Sequence, residues 1–496
     1  MNHRPAPSIP AHNGFDAIAG VLDKINFVCL LVVIYLAVIP YGSVDAWWGS
    51  LFECSVFGLT GLWLIQVVLR REWRIDELFL LVPLVLITVY AFLQAVPLPA
   101  AWFTNGTGRF AQHTLSVDRY QTLMTARKCL ALTLFLGLLL LHTTTSRRLR
   151  WLIRAVIGVG LGSAIFGIAR QLVQSPESTS GFVLPFLFPG MGYGEFISSN
   201  VFAFLMEMVF PLLLALICAG GITRNRIPVY LAAAVVVWTA LVLSNSRGGI
   251  LSLIIASVFV LSVSFAWRSA RRISEGGGSG GWIAWLAASR VMRVIMVGLM
   301  LGILVVGVAW MGGEQLTTKM TAQTSFQDVN DGTTRRQIWQ GTLKLIRARP
   351  ITGIGFGAFF LAYPQFQIGS GRIRVEQAHN DYLDLVANGG VVALGLAIWF
   401  VVMIIGRART ALGSHDAYRR AAALGAVAGM LGVASHSVVD FGLQVTGIAV
   451  VLGCLVTIAT AGDKVNAPLV GSRHLSADSR SRLSNSTPMS PMPRVQ

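Results

Sequence analysis

Polar residues in this chain fall between long apolar runs instead of alternating with them. Twelve runs stand out, near 25–41, 50–69, 77–96, 129–142, 151–172, 198–219, 228–243, 249–266, 294–311, 389–405, 420–437 and 445–461. Most approach the roughly 20 residues, with a range of about 17–25, that a helix needs to cross the hydrocarbon core of a bilayer. Backbone polar groups in lipid must be bonded within their own segment, so runs of this length predict helices and not open sheet. The pattern therefore predicts an all-α membrane protein of about twelve transmembrane helices.

The segments between the runs differ in kind. Residues 1–24 are polar and contain proline, and no small-residue cleavage pattern follows the first apolar run, so they read as a cytoplasmic N-terminus without a cleavable signal. Transmembrane helices 1–9 occupy 25–311 and helices 10–12 occupy 389–461. Gly276 to Gly281 reads as a flexible connector. From 462 to 496 the chain is rich in Ser, Pro and Arg, which predicts a disordered cytoplasmic tail. Segments 97–128 and 173–198 face outside; the second contains PFLFPGMGYGEF, suited to line a lateral opening.

The long outside segment 312–388 predicts a helical loop domain. Between Arg335 and Arg349, Ile338, Trp339, Thr342, Leu345 and Ile346 recur at three- and four-residue spacing, and Pro350 ends the pattern. A glycine-dense turn, ITGIGFGAFF, follows. A second short helix is expected from His379 to about Asn388, broken by Asn388, Gly389 and Gly390.

Composition supports the membrane reading. Hydrophobic residues make up 54% of the chain and charged residues 12%, about half the share of a soluble domain, roughly 25%. The net charge of +17 invites a nucleic-acid partner, but its distribution argues against one. With the N-terminus inside, 24 Lys and Arg lie in cytoplasmic segments and 13 outside, eight of the latter in 312–388. This is the positive-inside bias of a multi-pass protein, with both termini cytoplasmic and lipid headgroups as the anionic partner. The five cysteines, Cys29, Cys54, Cys129, Cys218 and Cys454, lie in or beside spans without CxxC spacing, and read as small buried hydrophobes.

Four places hold residues suited to chemistry. Arg247, in SNSRGG between two spans, is an outside arginine at the membrane face; it either snorkels or binds a ligand that its small neighbours let approach. Arg335 and Arg336 open the amphipathic helix; they are either solvated helix charge or a phosphate clamp, since guanidinium binds phosphate oxygens bidentately. His379 begins HNDYLDL; it is either structural or a base for a hydroxyl proton. Asp381 and Asp384 fall mostly on another face, so neither is clearly its orienting partner. His436 and Asp440, in HSVVDF, are spaced to share a helix face, as a tie between the last two helices or as a secondary functional pair. Gly353, Gly355 and Gly357 imitate a nucleotide loop, but without a preceding strand they predict a tight turn. No HExxH, CxxC or DxD-like cluster lies on the outside face, so neither a metal nor another cofactor is expected.

In order, the chain shows an SR-G motif between two spans, an R-x-x-x-W helix, a P-x-x-G-x-G-x-G turn, and H-N-x-Y-L before a glycine break. This resembles the O-antigen ligase and polysaccharide polymerase superfamily of bacterial inner membranes. The similarity is closest over about 198–405. It implies an inner-membrane glycosyltransferase whose donor is a glycan on undecaprenyl diphosphate and whose acceptor is lipid A-core or another lipid-linked glycan. By that resemblance Arg247 and Arg335 bind the diphosphate, with Arg336 as a neighbouring candidate. His379 acts as general base, and displacement inverts the anomeric centre without a metal. Arg170, at the outer end of its span, is a further phosphate contact by position alone. Ligase and polymerase share donor chemistry and remain alternatives here. A transporter of a small anionic solute suits the span count equally well. Such proteins place ionisable sites near the bilayer midplane in two related halves, whereas the unusual charges here cluster at the outer face.

Overall fold

The computed structural model of the chain describes residues 13–71, 76–98, 114–173, 193–274, 302, 335–368 and 374–461. Within them the protein is all-α, with one isolated antiparallel bridge between Tyr193 and Phe196. The principal helices are α1 (Asn13–Val38), α2 (Ala46–Arg70), α3 (Val82–Gln94), α4 (Arg119–His142), α5 (Ser146–Val173) and α6 (Ser199–Cys218). They continue with α7 (Ile227–Leu243), α8 (Arg247–Ser274), α9 (Arg335–Ala348), α10 (Asp381–Leu412), α11 (Ala417–His436) and α12 (Thr446–Thr460). Eight helices among the described residues are long and apolar enough to cross a membrane. Eleven of the twelve expected spans fall on described helices. The span at 294–311, the glycine connector, most of 173–198, residues 312–334 and the C-terminal tail lie outside the described residues.

The bundle is organised around α6. Its residues Val201 to Val209 are all buried, as are Pro211, Leu212 and Leu213. Such all-round burial needs a neighbour that can come close, and α11 supplies one. Gly425, Gly429 and Gly432 place bare backbone against α6: a Cβ at Gly425 would lie 2.6 Å from the Leu212 Cα, and one at Gly429 3.0 Å from the Met208 carbonyl oxygen. Without a hydrophobic drive between helices in lipid, close backbone contact of this kind is a principal source of association.

Two features differ from expectation. The span expected at 129–142 belongs to a helix that starts at Arg119, because Asp118 caps it by accepting from the Gln121 amide at 3.1 Å. The segment that joins it to α3 is correspondingly shorter than expected. The cysteines are all free, but only Cys454 is buried and Cys54 is exposed on α2.

The loop domain carries its own small core. Ile338 and Leu345 of α9, Ile354, Phe359, Tyr363 and Ala387 close one apolar cluster. Each large side chain sealed there contributes about 1.5–3 kcal/mol. The glycine turn joins this cap to the membrane bundle. Gly353, Gly355 and Gly357 all have positive φ, as a tight turn requires. The turn docks where α10 kinks at Gly390 (φ 65°, ψ −166°). There the amides of Ile354 and Gly355 donate to the Ala387 and Asn388 carbonyls, both at 3.0 Å. The kink releases helix carbonyls, and the turn satisfies them.

Candidate functional site

At one end of the bundle, the turn between α11 and α12 meets the residues that lead into α10. Asn380 caps α10 by accepting from the Leu383 amide at 2.9 Å, and its own amide nitrogen donates to the Val438 carbonyl at 2.7 Å. Asp381 accepts from the Ser437 hydroxyl at 2.7 Å and from the amides of Gly442 and Leu443 at 3.2 and 3.3 Å. These bonds grip the 437–443 turn from both sides of its apex. At that apex is Asp440.

Asp440 is the hub of the site. One carboxylate oxygen lies 3.3 Å from His379 Nδ1 and accepts the Phe441 amide at 2.9 Å. The other accepts Arg335 Nη2 at 3.3 Å and the side-chain amide of Asn200. Burial alone would raise the Asp440 carboxyl, but the His379 hydrogen bond and the Arg335 charge outweigh it. They hold the group well below the usual carboxylate range. Asp440 is therefore a fixed negative charge between an imidazole and a guanidinium.

His379 does not begin a helix as expected. Asn380 is the cap, α10 starts at Asp381, and His379 stands just outside with φ +48°. A non-glycine residue in the left-handed region is held there by its surroundings. Its carbonyl accepts Trp339 Nε1 at 3.3 Å, and Phe441 meets its ring edge-on at 5.0 Å. The side chain is 24% exposed while that of Asp440 is 4% exposed, so the imidazole is anchored on one side and open on the other.

His436 and Asp440 do not pair on one helix face. α11 ends at His436, and the following turn carries Asp440 away to His379 and Arg335. His436 pairs instead with Glu207 of α6, Nδ1 to carboxylate at 3.1 Å, and Phe204 stacks on its ring at 4.0 Å. Its Nε2 lies where a Cβ on Gly248 would come within 2.6 Å, so it abuts the first turn of α8.

The arginines divide into three settings. Arg335 is buried on Asp440, and its Nε has no hydrogen-bond partner among the described residues. Arg336, beside it, is exposed. Arg247 is also exposed and opens α8. The preceding Ser246 caps that helix and donates to the side-chain amide oxygen of Asn200 at 2.8 Å. Arg247 is thus tied to Asp440 through Ser246 and Asn200. Arg170 is buried elsewhere, on the Gly194 carbonyl and opposite Glu195. Burial pushes the Glu195 carboxyl up to about 7, with the Ser163 bond and the Arg170 charge working against it. So His379, Arg335 and Asp440 come together, Arg247 and Arg336 stand near them, and Arg170 and His436 hold other partners.

Four contributors were not picked out from sequence: Asn200, Glu207, and the gripping roles of Asn380 and Asp381. Glu207 left a usable signal, as the one carboxylate inside the apolar run SNVFAFLMEMVFPLLLALIC. The others act through partners more than forty residues away, which spacing does not report. Among the described residues no group of three His, Cys, Asp or Glu is placed to hold a metal ion.

Residues 232–400 match the O-antigen ligase family. The chain is similar there to O-antigen ligase. The match contains Arg247, Arg335, Arg336 and His379 and lies within the region over which the motif order resembles that superfamily. Asp440, Asn200, Glu207, His436 and Arg170 lie outside it. No curated protein matches the chain.

Proposed function

We propose that the protein is a membrane glycosyltransferase of the O-antigen ligase and polymerase type, moving a glycan from undecaprenyl diphosphate to a sugar hydroxyl. The observation that carries this reading is one buried carboxylate, Asp440, joining His379 to Arg335. The carboxylate accepts the Nδ1 proton, which leaves the His379 Nε2 lone pair facing the open side of the ring. That nitrogen takes the acceptor hydroxyl proton as the oxygen attacks the anomeric carbon. The bond from that carbon to the diphosphate oxygen breaks, and its electrons leave with the diphosphate. Attack opposite the leaving group inverts the centre. Asp440, held ionised, balances the imidazolium that forms.

The leaving diphosphate needs positive charge at fixed positions. The first turns of α8 and α9 carry Arg247, Arg335 and Arg336 and no acidic residue. The N-terminal end of a helix is already positive, so the starts of α8 and α9 favour an anion. The exposed guanidiniums of Arg247 and Arg336 can bind phosphate oxygens bidentately and supply this charge without a metal. Arg170 would serve only at the edge of such a site. The acceptor would be lipid A-core or a second lipid-linked glycan, and the enzyme would act at the outer face of a bacterial inner membrane with both termini inside.

The test is incubation of the purified, full-length protein with an undecaprenyl-diphosphate glycan and each acceptor, followed by product analysis. Arg247→Ala, Arg335→Ala and His379→Ala should each lower transfer by about 10²–10⁴-fold with expression retained. Full turnover in all three variants would refute the assignment. Uptake of an anionic solute into vesicles with no glycan product would support the transporter instead.

A further inference from the structure

A second polar site lies at the opposite end of the bundle. α4 runs from Arg119, beside the cap, to His142 at the far end. There a cavity of about 120 Å³ is lined by Asp23, Gln66, Arg70, His142 and Thr144. Against it lies an apolar groove of about 300 Å³ between α2, α3 and α4, walled by Leu81, Val85, Leu86, Thr133 and Leu138. Trp63 and Leu141 line both, so the polar cavity and the apolar groove adjoin. Val85 and Leu86 are 45% and 41% exposed, so the groove opens sideways to lipid.

The polar end is built for an anion. Both oxygens of Asp23 are occupied, one by His142 Nδ1 at 2.8 Å and one by Arg148 at 2.6 Å. Arg70 therefore adds positive charge that Asp23 does not neutralise. Two buried side chains keep a polar atom without a hydrogen-bond partner among the described residues: His142 Nε2 and Gln66 Oε1. His142 is 1% exposed and Gln66 6%. Neither atom is satisfied by its neighbours, and an unmade bond in such a place is costly. A phosphate oxygen would accept from Arg70, and a headgroup hydroxyl would donate to the unpartnered His142 Nε2. A second hydroxyl on the same headgroup would donate to Gln66.

We propose that this groove binds one anionic glycerophospholipid with a hydroxyl-bearing headgroup, of the phosphatidylglycerol kind. The phosphate sits at Arg70, the headgroup hydroxyls meet His142 and Gln66, and one acyl chain lies along Trp63, Leu81 and Leu138. The bound lipid fills a gap between α2, α3 and α4 at the end remote from the candidate active site.

Native mass spectrometry tests this on the full-length protein released from nanodiscs of equal phosphatidylglycerol and phosphatidylcholine. The wild type should retain one phosphatidylglycerol in preference to phosphatidylcholine by about tenfold, the worth of one charge-assisted contact. Arg70→Gln should bring the ratio close to one. Leu86→Trp, which fills the groove from its open side, should lower retention of both lipids. Soluble glycerol phosphate should not displace the lipid, because it lacks the chain. Melting curves of both variants separate loss of the site from loss of the fold. Equal retention of the two lipids by the wild type, a ratio unchanged by Arg70→Gln in folded protein, or displacement by glycerol phosphate would each overturn the proposal.

Discussion

Two histidine–carboxylate pairs stand near each other in this protein, and their settings differ sharply. His436 and Glu207 are 1% and 0% exposed at the side chain, with an aromatic ring stacked on the imidazole. His379 and Asp440 are 24% and 4% exposed. The first pair is sealed between α6 and α11, where the glycine stripe lets the two helices close. The second sits where the cap meets the bundle, with one face of the ring open. The same two functional groups thus hold helices together in one place and stay open to approach in the other. Access, not residue type, separates them.

Exchanging the roles of the two pairs gives the largest expected effects. His379→Ala should remove transfer, as above, while leaving the melting temperature nearly unchanged. His436→Ala should do the reverse: Glu207 is left as an unpaired buried charge, which costs about 3–5 kcal/mol. Thermal unfolding in detergent would report it, with residual activity following the folded fraction. If His436→Ala instead lost transfer with an unchanged melting curve, the sealed pair would belong to the chemistry.

A smaller effect is expected one step back from the base. Asp440→Asn keeps the shape of the hub but removes the charge that orients His379 and answers Arg335. It should lower kcat by about 10²-fold, the scale of a misplaced catalytic group, with little change in KM for the acceptor. A KM effect alone would make Asp440 a binding residue.

The smallest effect concerns Glu195, a buried carboxyl with arginine for company. Its folded value near 7 lies above the ordinary 4.5. Between those values the folded protein holds a proton that the unfolded chain has released. Stability from this group is present at pH 4.5 and below and is lost as pH rises toward 7. Glu195→Gln removes that dependence. Its gain over wild type should therefore be larger at pH 8 than at pH 5, by no more than about 3 kcal/mol. An equal difference at both pH values would place the titration elsewhere.

Particular elements show how far residue patterns carry. The spans were legible because lipid admits little but long apolar helices, and α9 was legible because Ile338, Thr342 and Leu345 keep helical spacing. The glycine turn announced itself through residues that tolerate positive φ. His436 and Asp440 misled for the opposite reason. Four-residue spacing implies a shared face only if the helix continues, and α11 stops at His436. His379 misled at its helix boundary, because Asn380 is the better cap.

The order of apolar runs, the basic bias between them and the sequence of short motifs determined the class of this protein and the residues worth watching. These are local properties, set by what a bilayer tolerates and by the spacing of neighbours along one helix. Which carboxylate meets His379 was decided only in three dimensions. Asp440 is 61 residues from His379 and 105 from Arg335, and it reaches both because Asn380 and Asp381 grip the turn that carries it. A contact of that kind depends on how two turns lie across a packed bundle, and no periodicity along the chain records it.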